Sequence, residues 1–78
     1  MSEKSSEKRD SFVRLAEKRV ERAVRDVELI GNLSNTSSYE YSDKDVAAIF
    51  RALDEAIKSS KQRFSDGLNR RKRFTLSN

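Results

Sequence analysis

The 78-residue chain carries 17 Lys and Arg against 13 Asp and Glu, is 38% charged and 35% hydrophobic, and contains no Cys, His, Trp or Pro. Its size predicts one small domain, and below roughly 70–80 residues a lone hydrophobic core supplies only a few kcal/mol unless disulfides, metal or self-association add to it. With no thiol and no imidazole, zinc sites built on them, cysteine nucleophiles, Ser-His-Asp triads and histidine acid–base chemistry are excluded; the chain reads as no enzyme, with no metal, cofactor or small-molecule substrate.

Residues 1–6 read as a polar leader, and the first ten residues lack the apolar run of a secretory signal. Charges interrupt every apolar stretch well short of the roughly 18–20 residues that span a bilayer, so the expectation is a cytoplasmic protein with no membrane partner. Helix one is predicted over residues 7–31. Its apolar residues fall at Val13, Ala16, Val20, Ala23, Val27 and Ile30, alternating spacings of 3 and 4 that make a heptad seam. Phe12 and Val24 flank and widen this stripe, while Leu15 and Leu29 share a second, weaker side. Gly31 is expected to take the left-handed conformation that ends a helix, with Asn32 continuing the turn.

Residues 32–41 read as a loop, because Asn, Ser and Thr side chains compete for backbone hydrogen bonds. The triplets Asn32-Leu33-Ser34 and Asn35-Thr36-Ser37 match the glycosylation pattern, yet in a chain that is not secreted they read as turn chemistry. Leu33, Tyr39 and Tyr41 are unusually apolar for such a loop. They either pack on the end of a helical bundle or form a partner-contact surface, since Tyr is common at interface hot spots.

Helix two is predicted over residues 42–66. Ser42 is placed as N-cap with Asp45 answering it in a capping box, Tyr41 and Val46 are spaced for a hydrophobic staple, and Asp43 and Asp45 put negative charge at the positive end of the dipole. Val46, Ile49, Phe50, Leu53, Ala56, Ile57, Ser60 and Phe64 then recur at helical spacing, a face about three residues in seven wide. Gly67 lies just beyond. Residues 67–78 form a basic tail that either extends the helix by a turn or two or stays loose until it meets a partner.

The expected architecture is therefore all-α: a single domain over residues 1–78, folded as an antiparallel two-helix hairpin with a basic C-terminal tail. One partner helix cannot cover both wide stripes. Pairing of two hairpins into a four-helix bundle, a homodimer, would bury the seam from Val13 to Ile30 together with Val46, Ile49, Phe50, Leu53, Ile57 and Phe64.

Acidic pairs such as Glu17 and Glu21, or Asp54 and Glu55, read as a solvated face. Glu21 stands four before Arg25 and Asp10 four before Arg14, the favourable order for helix ion pairs. Two isolated glycines make no phosphate-cradling loop. The basic residues are more informative because they are uneven: residues 1–30 hold eight against seven acidic, residues 31–57 two against five, and residues 58–78 seven against one. Lys58, Lys61, Arg63, Arg70, Arg71, Lys72 and Arg73, with Phe64 and Phe74 interleaved, are the candidate nucleic-acid contacts. The same residues also suit another anionic or protein surface, a solubilising tail, or a helix end placed against the negative end of its dipole. On helix one, Arg14, Lys18, Arg22 and Arg25 form a second stripe, diluted by acidic neighbours.

The segments Leu15-Ala16-Glu17-Lys18-Arg19-Val20, Leu29-Ile30-Gly31-Asn32-Leu33-Ser34-Asn35, Tyr39-Glu40-Tyr41 and Asp45-Val46, closing with Ile49-Phe50 and Leu53, carry a resemblance. From about Phe12 to Phe64 the chain resembles a group of short bacterial, plasmid and phage reading frames to which no activity is assigned. The resemblance implies a bacterial or mobile-element setting and no mechanism, and the basic tail lies outside it. The expected function is a small, self-associating, non-enzymatic binding or accessory protein whose basic C-terminal segment contacts nucleic acid. The alternative is a protein-binding inhibitor or antitoxin-like regulator encoded by a phage or mobile element, such as a defence antagonist.

Overall fold

The 3 and 4 alternation of apolar residues between Val13 and Ile30 has the period of an α-helix, and a helix forms over it. The computed structural model describes the backbone of residues 3–73 and the side chains of residues 7–70. Helix α1 spans Glu3–Gly31, a single 3-10 turn spans Asn32–Ser34, and helix α2 spans Asp43–Arg73; no strand occurs among the described residues. The chain is organised as two units, residues 1–40 and residues 41–78.

In the first unit, α1 starts four residues earlier than the apolar pattern marks. Residues 3–12 contain neither Gly nor Pro and are rich in Glu, Lys and Arg, all good helix formers, so nothing opposes the extension. At 1.5 Å per residue the 29 residues rise about 43 Å. The Arg9 guanidinium lies over the Phe12 ring, 5.8 Å from its centroid, a cation–π pair three residues apart.

The end of α1 differs from expectation. Gly31 is right-handed, with φ −60° and ψ −29°, and neither glycine has a positive φ. The helix instead tightens through the 3-10 turn, and the chain leaves it at Asn35, whose ψ of 103° is extended. Tightening to i→i+3 bonds is one of the ways a helix occupies its last carbonyls, and it needs no left-handed residue. Asn35 then organises the start of the loop: its Oδ1 accepts the Ser37 N–H at 3.0 Å, and its carbonyl accepts the N–H groups of Ser38 at 3.1 Å and Tyr39 at 3.0 Å. This is an Asx-type turn, the behaviour that makes Asn frequent in loops.

In the second unit the start of α2 has the capping pattern read from its residues. The Asp45 N–H donates to Ser42 Oγ at 3.2 Å, the Ser42 N–H donates to Asp45 Oδ2 at 2.9 Å, and the Val46 N–H donates to the Ser42 carbonyl at 3.1 Å. Two of the free amides of the helix start are thus occupied reciprocally. At the far end, of the two alternatives for the tail, extension of the helix is the one seen up to Arg73: α2 continues past residue 66 through Gly67, 31 residues and about 46 Å in all. A lone glycine costs a helix only about 1 kcal/mol relative to Ala, and Gln62 Nε2 donates to Asp66 Oδ1 at 2.9 Å one turn before it.

No described side chain is fully buried; among the apolar seam residues Val13, Ala16, Ile30 and Leu53 are half-buried, and the others are exposed. No helix among the described residues is long and apolar enough to cross a membrane.

Candidate functional site

The basic half of α2 is built on regular helix rather than on a loose tail, so its residues have fixed register. Turning by about 100° per residue, Lys58, Lys61 and position 72 share one side, Arg63, Arg70 and position 73 share another, and position 71 falls in line with the apolar stripe. The seven basic positions therefore surround the helix over about 22 Å of its length. Lys58, Lys61, Arg63 and Arg70 are exposed. Arg71, Lys72 and Arg73 are helical in backbone, while their side chains, and Phe74 entirely, lie outside the described residues. Phe64, the aromatic residue among the described basic positions, is 62% exposed.

The only acidic residue from 58 to 78 is Asp66. It holds the Gln62 amide at 2.9 Å, so its charge is partly engaged on its own helix. Four of the five acidic residues of α2 lie before residue 58, with Asp43 and Asp45 in the first turn. The side-chain charge thus complements the helix dipole: negative side chains at the positive end, positive ones at the negative end.

The loop candidates are also accessible. Leu33 is 45% exposed and Tyr39 51%, held on the turn that Asn35 organises; Tyr41 is 42% exposed, one residue before the Ser42 cap. On α1, Arg14, Lys18, Arg22 and Arg25 are exposed, with Glu17 and Glu21 among them. Two shallow concavities on this helix, one along Ala16, Val20 and Val24 and one along Leu15, Arg19 and Arg22, are open to solvent and walled by α1 alone. Among the described residues no group of three or more Asp or Glu gathers to hold a metal ion.

Reading the residues alone found every basic position and placed Lys58, Lys61 and Arg63 on helix two, but left open whether the helix goes on beneath residues 70–73. A signal was present: Leu68 stands four beyond Phe64, continuing the stripe past Gly67, and Gln62 stands four before Asp66. Compared with known proteins, the chain matches no family model, no curated protein and no solved structure.

Proposed function

We propose that this chain is a small, non-enzymatic, self-associating helical protein whose basic C-terminal stretch contacts nucleic acid through the phosphate backbone. The observation that carries the reading is the charge of α2, seven basic residues to one acidic from residue 58 onward, on a continuous helix up to Arg73. Phosphate contact needs exposed cations at short spacing and no enclosed pocket. A helix that sets them on several sides suits backbone tracking better than base reading, which requires a few side chains aligned with one groove edge.

Self-association is supported by the apolar seams, whose described side chains are half-buried or exposed. In the assembly we propose, α1 and α2 fold back as an antiparallel hairpin and two hairpins pair as a four-helix bundle. Contiguous exposed apolar stripes are rare on monomers and mark interfaces.

Fluorescence anisotropy with labelled duplex and single-stranded oligonucleotides over a salt series tests the reading. The expected result is binding with slight sequence preference and a log affinity that falls by about 0.9 per phosphate neutralised for each decade of salt. Replacing Arg70, Arg71, Lys72 and Arg73 by Ser should weaken binding and flatten that slope by up to about four ion equivalents. Absence of binding at low salt overturns it. A second reading, a protein-directed inhibitor or regulator, is favoured by the exposed Leu33, Tyr39 and Tyr41 on an ordered loop. Its partner affinity would be nearly independent of salt and lost in Tyr39→Ala.

A further inference from the structure

We infer that α2 is the self-association surface and that it takes α2 of a second copy, antiparallel, about a two-fold axis between Lys58 and Ser59. The inference rests on the self-association proposed above and adds the segment, its direction and its register.

The seam of α2 reads Val46, Phe50, Leu53, Ile57, Ser60, Phe64, Gly67 and Arg71, with spacings of 4 and 3 in strict alternation. Its apolar side chains are accessible: Phe50 is 44% exposed, Ile57 55% and Phe64 62%. Antiparallel helices pack by setting the two kinds of seam position opposite each other in layers. One register matches the whole helix, because the middle of Asp43–Arg73 is Lys58. In it Ile57 meets Ser60 of the second copy, Leu53 meets Phe64, Phe50 meets Gly67, and position 46 meets position 71 near the ends. Each pairing occurs twice by symmetry. Two of the three inner layers set a large side chain against a small one, the interdigitation that dense packing needs.

Charge selects the direction. Between residues 43 and 57, Asp43, Asp45, Asp54 and Glu55 outnumber Lys44 and Arg51, whereas the rest of the helix is basic. A parallel pair would set acidic half beside acidic half and basic beside basic. The antiparallel pair crosses them. Charge also selects the register. The positions flanking the seam bring Asp54 of each copy to Lys61 of the other, an opposite-charge pair made twice. Sliding the second copy by one heptad one way brings Asp54 against its own counterpart. Sliding it the other way brings Lys61 against Lys61 and Arg63 against Arg63. Helix α1 has no such polarity, since its charges are mixed along its length.

The chain has no cysteine, so introduced ones report geometry without background. Ala56→Cys and Arg63→Cys, on the other flank of the seam, should form a disulfide when the two variants are mixed and oxidised. Neither should cross-link alone, because each residue lies seven positions, about 10 Å, from its own counterpart, beyond the roughly 7 Å a disulfide spans between Cα atoms. Sedimentation of the cysteine-free protein gives the oligomeric state, and circular dichroism verifies that the variants are helical. Independently, Asp54→Lys should weaken self-association roughly tenfold, and adding Lys61→Asp should restore it. Cross-linking of each single variant to itself, or a dimer without the mixed disulfide, overturns the inference and leaves self-association standing. A monomer at several hundred micromolar overturns both.

Discussion

At the scale of single residues, Ser42 and Asp45 hold each other by a reciprocal pair of hydrogen bonds. Ser42→Ala removes the hydroxyl that occupies the Asp45 amide, and should cost about 1 kcal/mol of helix stability in a thermal melt monitored at 222 nm. This cap was legible because both partners lie within four residues and the bond depends on nothing distant. Gly31 departs from its expected role for a reason equally local. Glycine permits a left-handed conformation but does not demand one, and here the 3-10 turn at Asn32–Ser34 ends the helix instead. A Cβ built on Gly31 meets nothing within 4 Å and the φ is ordinary for any residue. Gly31→Ala should therefore stabilise the protein by about 0.5–1 kcal/mol, through the smaller entropy of the unfolded chain. A drop in melting temperature would show that the residue needs a conformation only glycine reaches.

At the scale of elements, α2 carries most of what distinguishes this chain. Its apolar period was readable from Val46 to Phe64, but its last two turns were obscured by Gly67 and by a run of four basic residues with no apolar partner among them. Periodicity is the signal that reveals a helix, and it fades where the stripe ends, whereas the backbone hydrogen bonds that continue the helix have no signature in residue type. Whether the helical state of this segment matters to binding is testable at Gly67. A Cβ there also meets nothing within 4 Å. Gly67→Ala should raise helicity slightly and leave or improve oligonucleotide affinity. Gly67→Pro removes an amide donor and clashes with the preceding turn, at about 3 kcal/mol, and should uncouple the residues beyond it. If fixed register aids phosphate contact, the proline variant binds more weakly at unchanged net charge; equal affinity of the two variants would mean that charge density alone is used.

At the scale of the whole molecule, charge asymmetry and apolar seams were both visible in the residues, because each is a property of the order of residue types along the chain. The identity of the surface each one meets was not, since contacts to a phosphate backbone require only density of cations, and an apolar stripe specifies area before it specifies a partner. The two features are nonetheless coupled. If two chains associate through α2, the assembly presents two basic segments to one nucleic acid, and ion release per bound assembly doubles relative to a single chain. Leu53→Ala should disturb this without touching a cation: truncating a half-buried seam residue costs an associated form roughly 2–5 kcal/mol. The expected signature is a melting temperature that no longer rises with protein concentration, together with a salt slope near half that of the parent. Replacement of Arg70, Lys72 and Arg73 by Ser, with seam position 71 left in place, should do the reverse, preserving the concentration dependence of melting while reducing the slope. Parallel loss of both properties in either variant would mean that assembly and binding are one event on one surface, and that the basic side chains beyond the seam also take part in the dimer contact.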